Sequence, residues 1–292
     1  MTAYPYVIMM TERPVPLLKV RQDIVRILVG IDDPQRETRW LLQELFSLSF
    51  KDLLNNKATL TPTQYAQALA TAQRRKAGEP LARIIGKGIF WGEHFKITPD
   101  VLEPRTDSES LLIMVQRLIT HLPARPRIID FGTGSGCLLI STIKEIKDSI
   151  GVGVDKSIPA LHVAAANAYD LGVHTRVQWV ASDWDTALTG QFDLMISNPP
   201  YIKSKVLANL EKTVLDYDPI VALDGGEDGL NAYRRLIPAA NKLLRHGGIA
   251  LFEIGFDQGQ GVPALVHAPL HCREVIKDMS GRDRLVFLEK PA

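Results

Sequence analysis

Apolar positions recur at helical spacing through the first quarter of the chain, and past residue 126 they condense into short apolar runs separated by helix-length segments. Between Leu17 and Ala77, the groups Ile24, Ile27 and Leu28, then Trp40, Leu41 and Leu45, then Leu60, Tyr65 and Leu69 fall three to four residues apart, which predicts a small helical bundle. Thr61-Pro62 has the form of an N-cap followed by proline at the first helical position. Lys87 to Thr98 alternates glycine, aromatic and polar residues and predicts a β-hairpin linker. The period then changes. Arg127 to Phe131, Gly151 to Asp155, Arg176 to Ala181, Phe192 to Ile196 and Gly247 to Glu253 predict strands, and Cys137 to Ile146 and Ile158 to Leu171 predict helices between them. Alternation of this kind implies a Rossmann-like α/β domain with a mostly parallel sheet. Arg273 to Met279 and Arg284 to Leu288 flank Ser280-Gly281-Arg282-Asp283 as a terminal hairpin, which adds an antiparallel last strand. No internal repeat or low-complexity tract interrupts the pattern.

Chemistry gathers at the predicted strand ends, where open α/β sheets bind ligands. The first strand carries Asp130 and runs into Gly132-Thr133-Gly134-Ser135-Gly136 before a helix. Glycines there allow close backbone approach and a positive φ, yet the spacing departs from G-x-G-x-x-G and argues against a pyrophosphate on the helix N-terminus. The second strand closes on Asp155, placed to grip two ribose hydroxyls; its competing role as a helix N-cap suits Ser157 better. The third is followed by Ser182-Asp183-Trp184, where Asp183 can accept from an adenine amino group and Trp184 can pack on the ring. Taken singly, these residues also read as loop surface or core aromatic.

The fourth strand ends in Asn198-Pro199-Pro200-Tyr201. A carboxamide or exocyclic amine nitrogen delocalises its lone pair, so it reacts poorly unless acceptors hold its N–H bonds and aim it. Asn198 Oδ1 supplies one acceptor and the Pro199 carbonyl a second, with Pro200 stiffening the turn. Tyr201 offers a ring face to cover the planar group. The plain alternative is an ordinary strand-ending turn, for which Asn and Pro are common residues.

Composition narrows the class. At 292 residues the chain holds a catalytic domain and a smaller one. A formal charge of +1 supplies no global basic field for duplex nucleic acid. The two cysteines, Cys137 and Cys272, lack metal-ligand spacing and form no framework, which favours a reducing, cytoplasmic compartment. Cys137 at a helix start reads as a packed small residue more than a reactive thiolate. His94, His121, His162, His174, His246, His267 and His271 are scattered without a His-x-x-x-His pair, so no metal is expected. No run approaches the ~20 apolar residues of a membrane helix. Tyr4 to Met10 has no preceding Lys or Arg and reads as a disordered or packed leader.

With these residues in place, the chain resembles S-adenosylmethionine-dependent methyltransferases of the class I fold. Within them it is similar to the HemK-type (PrmC-like) glutamine methyltransferases that modify peptide chain release factors. The resemblance includes Arg75 to Leu81, Phe90-Trp91-Gly92, Val101 to Glu109, the Asn-Pro-Pro-Tyr tetrapeptide, Asp218-Pro219 and Ala222 to Leu230. Glu103, Thr106 and Ser135 depart from the family pattern, which has an apolar residue, a proline and a threonine there. The resemblance implies S-adenosyl-L-methionine as methyl donor, with Asp130, Gly132, Thr133, Gly134, Ser135, Gly136, Asp155, Asp183, Trp184 and Asn198 as candidate donor-binding residues. It implies Asn198, Pro199 and Tyr201 as catalytic residues, and Asn198, Pro199, Pro200 and Tyr201 as the substrate clamp.

The implied reaction is in-line methyl transfer to the side-chain nitrogen (N5) of the glutamine in the Gly-Gly-Gln loop of release factors, a protein methylation of translation termination. The expected organisation is a helical substrate-docking domain over 1–82, a hairpin linker over 83–106 and the methyltransferase domain over 107–292, with residues 202–227 as a wall or lid. Glutamine methylation of a ribosomal protein and N6-adenine methylation of nucleic acid need the same clamp and remain alternatives. An inactive donor-binding or factor-binding adaptor is the alternative outside enzymes.

Overall fold

The computed structural model describes residues 13–292, so the leader Tyr4 to Met10 lies outside the described residues. The chain divides into two compact units, 1–85 and 86–292. In the first, a two-residue ladder joins β1 (Val15–Pro16) to β2 (Thr59–Leu60), among the helices α1 (Leu17–Ile27), α2 (Pro34–Phe46), α3 (Phe50–Asn55), α4 (Pro62–Lys76) and α5 (Leu81–Ile85). Leu17, Val20 and Ile24 of α1 bury one stripe against Leu41 and Leu42 of α2 and Ala68 and Ala72 of α4, which realises the helical period of the sequence. Reciprocal capping boxes start two of the helices: Ser49 with Asp52, and Thr61 with Gln64. Each satisfies end-of-helix N–H groups that have no partner inside the helix.

The second unit begins with the hairpin β3 (Lys87–Phe90) and β4 (Glu93–Lys96), followed by α6 (Glu109–Leu118). The sheet comprises β5 (Arg127–Phe131), β6 (Ile150–Asp155), β7 (Val177–Ala181), β8 (Phe192–Ser197), β9 (Leu244–Glu253), β10 (His271–Lys277) and β11 (Asp283–Glu289). Between them run α7 (Cys137–Glu145), α8 (Ile158–Asp170), the short α9 (Ser204–Leu207) and α10 (Lys212–Tyr217), and α11 (Asn231–Leu243). Spatial order is β10-β11-β9-β8-β5-β6-β7. β5 to β9 are mutually parallel, and β11 joins β9 antiparallel with β10 outside it. The mixed sheet with an antiparallel final hairpin is the one the alternating pattern implies.

The hairpin expected as a linker is part of this unit's core. Phe90 and Phe95 are fully buried beside Leu112 and Leu139, and Asn167 of α8 exchanges two hydrogen bonds with the backbone of Lys96, at 2.7 and 3.0 Å. Period-two alternation sorts the central strands onto two faces. Leu194 and Ile196, with Leu251 and Leu285, join the cluster under α6 and α7; Met195, Ala250, Phe252 and Val286 join the one under α11. On α11, Tyr233, Leu236, Ile237, Ala240 and Leu243 follow helical spacing into the second cluster.

Strand order reverses at β5, whose neighbours are β6 on one side and β8 on the other. Crevices open at such reversals, beyond the carboxyl ends of the strands. Ser197 Oγ donates to the Phe131 carbonyl at 2.7 Å and ties the two central strand ends together.

Candidate active site

One cleft lies over that reversal. It is lined by the glycine loop, by Asp155 and by Ser182 to Trp184, and closed by Asn198 and Pro200, by residues 100–105 and by Pro219, Val221 and Ala222. Four strand ends singled out in the sequence therefore meet in one cavity of about 1080 Å³, including its open mouth. Gly132, Thr133, Gly134, Ser135, Asp155, Asp183, Trp184, Asn198 and Pro200 face it directly. Asp130, Gly136, Pro199 and Tyr201 are not among the residues that line it.

The glycine loop is fastened to β6. The amides of Gly132 and Thr133 both donate to the Val154 carbonyl, at 2.9 and 3.0 Å, and Gly136 N closes the turn on Thr133 O at 2.8 Å. Gly132 and Gly134 take φ of +67° and +54°, a region that side-chain-bearing residues avoid. A Cβ on Gly132 would meet no atom within 4 Å, so the loop leaves open space above its backbone. Asp155 braces it from the next strand: Oδ2 accepts from Gly134 N at 3.0 Å and Oδ1 from Ser157 N at 2.9 Å. Each oxygen keeps a lone pair for a hydroxyl. Ser157 Oγ caps α8 by accepting from Ala160 N, which frees Asp155 from that task.

Beneath the loop Asp130 is 1% exposed. Thr133 Oγ1 donates to its Oδ2 at 2.6 Å, whereas Oδ1 has no hydrogen-bond partner. Burial, with a smaller contribution from the Asp155 charge, pushes its pKa up to about 7 against the lowering effect of the Thr133 bond. The Leu139 amide also lowers it, more weakly, and an oxygen with no donor at hydrogen-bond distance keeps acceptor capacity for a cation or N–H group. Asp183 is exposed at the rim, and the Trp184 ring stands 6.4 Å from that of Phe131 at a tilt of 42°. Cys137 also lines the cleft. Burial pushes its thiol up to about 12, which leaves a protonated packing group.

The tetrapeptide is buttressed from behind. Ile202 N donates to Leu223 O at 3.0 Å, Gly225 N donates to Ile202 O at 2.8 Å, and Gln258 Nε2 donates to Tyr201 O at 3.1 Å. Gly225 packs so closely that an added Cβ would fall 2.8 Å from the Tyr201 backbone. The segment Ala222 to Leu230 thus forms the backing of the Asn-Pro-Pro-Tyr turn. Arg105 pairs with the buried carboxylate of Asp218 and joins the wall at residues 100–105 to the one at 219–222.

Asn198 Nδ2 donates to Ser108 Oγ at 2.8 Å, and Ser108 Oγ donates to Glu253 Oε2 at 2.6 Å. Tyr201, expected to lay its ring over a substrate, turns its hydroxyl onto Glu253 Oε1 at 3.4 Å. Its phenol pKa is raised, first by burial and then by the Glu253 charge. Ser108 and Glu253 are absent from the sequence-based candidates. The usable signal for Glu253 was its place at the end of a predicted strand, in the same row as the other strand-end groups.

The sheet and cleft define a Rossmann-like methyltransferase domain, and residues 106–217 match the model of the methyltransferase small domain. Residues 22–86 match the PrmC N-terminal domain. A release factor glutamine methyltransferase of Bradyrhizobium diazoefficiens is 40% identical over 265 residues, 89% of each chain. One of Cereibacter sphaeroides is 39% identical over 267 residues, 90% of this chain and 94% of its own. The chain belongs to the release factor glutamine methyltransferase family. A solved methyltransferase from Pyrococcus furiosus, 15% identical, shares the fold with a TM-score of 0.52 over 78% of this chain and 100% of its own. S-adenosylmethionine is the methyl donor of this enzyme class, and the open glycine loop, the Asp155 carboxylate and Asp130 Oδ1 fit its nucleoside and amino acid parts.

Proposed function

We propose that this protein transfers a methyl group from S-adenosylmethionine to the side-chain N5 of the glutamine in the Gly-Gly-Gln motif of peptide chain release factors. The observation that carries the reading is the placement of Asn198 in the same cleft as the glycine loop and Asp155, with its Nδ2 end already engaged by Ser108. Its Oδ1 is left to accept an N–H from a planar amide. The bound donor supplies an electrophilic methyl on a sulfonium.

The chain's residues do the rest by positioning and electrostatics. Asp155 takes the ribose hydroxyls, Asp130 the amino group, and Asp183 with Trp184 the adenine. Asn198 Oδ1 and the Pro199 carbonyl hold the two N–H bonds and direct the nitrogen at the methyl. Positive charge moves onto that nitrogen during transfer, so these acceptors act more strongly in the transition state than on the neutral amide. An N-alkylated amide still carrying its extra proton is acidic, and no dedicated base is required.

The N-terminal unit is assigned to docking the protein substrate, which its match to the PrmC N-terminal domain supports. Among the described residues no helix is long and apolar enough to cross a membrane, and a cytoplasmic site accords with a substrate that works on the ribosome. The test is incubation with labelled donor and, in parallel, a recombinant release factor, ribosomal proteins, and tRNA or DNA, with mass spectrometry to locate the label. Methyl on the Gly-Gly-Gln glutamine is expected. Methyl on a ribosomal protein or on adenine alone refutes the assignment.

A further inference from the structure

We propose that Ser108 and Glu253 are positioning residues that set which end of the Asn198 carboxamide faces the cleft. The inference rests on the methyl-transfer reading and adds the device that orients its principal acceptor.

An asparagine side chain is nearly symmetric in shape and opposite in polarity at its two ends. Turned one way, Asn198 offers an acceptor to a substrate NH2; turned the other, it opposes that NH2 with its own N–H bonds. Local packing distinguishes the two poorly, because O and NH2 have similar size. The hydrogen-bond chain distinguishes them. Ser108 Oγ has one proton, and at 2.6 Å from Glu253 Oε2 an ionised carboxylate claims it. Ser108 can then only accept from Asn198, which fixes Nδ2 on the serine at 2.8 Å and leaves Oδ1 toward the cleft. A protonated Glu253 removes the constraint. It can donate to Ser108, and Ser108 can in turn donate to Oδ1 of a reversed Asn198.

Register brings the three together. Ser197 stands opposite Phe252 across β8 and β9, so the residues that follow each, Asn198 and Glu253, lie side by side at the strand ends. Glu253 follows the period-two parity of Leu251 onto the face covered by α6, at whose start Ser108 lies. Glu253 is 1% exposed and Ser108 3%. A buried carboxylate is costly unless its partners hold it, and here each oxygen has one, Ser108 and Tyr201. The other groups facing it are Arg284 from β11, the hydroxyl of Tyr233 from α11 on its backbone carbonyl, Asp107 beside Ser108, and Cys137 from α7. Burial raises the Glu253 pKa to about 7, against the pull of Ser108 and Arg284. The orientation of Asn198 is thereby coupled to pH near neutrality.

The test measures single-turnover methylation of a release factor at saturating donor and substrate, as a function of pH, in the wild type, E253Q, S108A and S108T. Wild-type rate is expected to rise with pH through about 7. E253Q, whose amide serves as donor or acceptor indifferently, is expected to lose the rise. At high pH it should be slower on the order of tenfold, and S108A on the order of ten- to a hundredfold. S108T keeps the hydroxyl and should restore both rate and pH dependence, with donor affinity by calorimetry unchanged in all three variants. A second readout needs no substrate: the Asn198 side-chain amide resonances, assigned with N198D, should shift over roughly pH 6 to 8 in the wild type and stay fixed in E253Q. An E253Q profile that retains the rise, an S108A rate equal to wild type, or amide resonances indifferent to E253Q overturns the proposal. Resonances that shift as expected while no glutamine is methylated would instead overturn the substrate assignment alone.

Discussion

Gly225→Ala tests whether the segment behind the tetrapeptide fixes its position. The added Cβ would lie 2.8 Å from both the carbonyl carbon and Cα of Tyr201 and 2.9 Å from Gly229 Cα. All three are backbone atoms, so no side-chain rotation relieves the contact. Overpacking of this kind costs about 1–3 kcal/mol, offset by roughly 0.4–1 kcal/mol because alanine restricts the unfolded chain. At about 2–4 °C per kcal/mol for a unit of this size, melting should fall by several degrees. The larger effect is on turnover. Relief requires the Asn-Pro-Pro-Tyr turn or its backing to move by about half an ångström, where a 1 Å misplacement costs on the order of a hundredfold. A tenfold loss in single-turnover rate is expected, with donor affinity by calorimetry unchanged. Gly172→Ala is the control: its φ is +73° with nothing within 4 Å of an added Cβ, so it should lower stability without changing the rate. A Gly225→Ala enzyme that loses stability yet turns over at the wild-type rate would refute the buttressing role.

Asp155→Ala should weaken the donor by about ten- to a hundredfold, from the loss of charge-assisted hydrogen bonds to the ribose, and an unchanged affinity by calorimetry would contradict that role. The raised pKa of Asp130 makes a signed prediction about stability. The folded protein keeps a proton on it up to about pH 7, whereas the unfolded chain releases it near 4, so this stabilising contribution is present in acid and lost as pH rises between those values. Asp130→Asn should therefore show a shallower decline of melting temperature over that interval than the wild type. An identical decline would remove Asp130 as its source. Arg105→Ala should loosen the two cleft walls that its ion pair with Asp218 connects, seen as faster proteolysis of residues 202–222 with the rest of the unit protected; unchanged cleavage would show that the pair contributes little.

The sheet and the strand-end chemistry were legible in the sequence because both depend on local pattern. Short apolar-rich segments give the strands, and residues directly after them reach the cleft without further information. Gly132 to Ser135, Asp155, Asp183-Trp184 and Asn198 therefore line one cleft. The hairpin was harder. Alternation over Lys87 to Thr98 gives the two strands but does not say into which core Phe90 and Phe95 pack, and both belong to the core of the second unit. The pairing of Ser108 with Glu253 was hidden for a related reason: 145 residues separate them, and only the register of β8 with β9 and the seating of α6 join them. Tyr201 was assigned to a ring-stacking role from its residue type, whereas its hydroxyl is engaged by Glu253, a partner 52 residues away that local pattern does not pair with it.

The central claim is that a pair of fixed oxygens, led by Asn198 Oδ1, activates an inert amide by aiming it. Single-turnover methylation of a release factor by Asn198→Ala, beside donor affinity measured on the same preparation, tests this most directly. The rate is expected to fall by on the order of 10² to 10³ with donor binding retained. A rate close to wild type would contradict it.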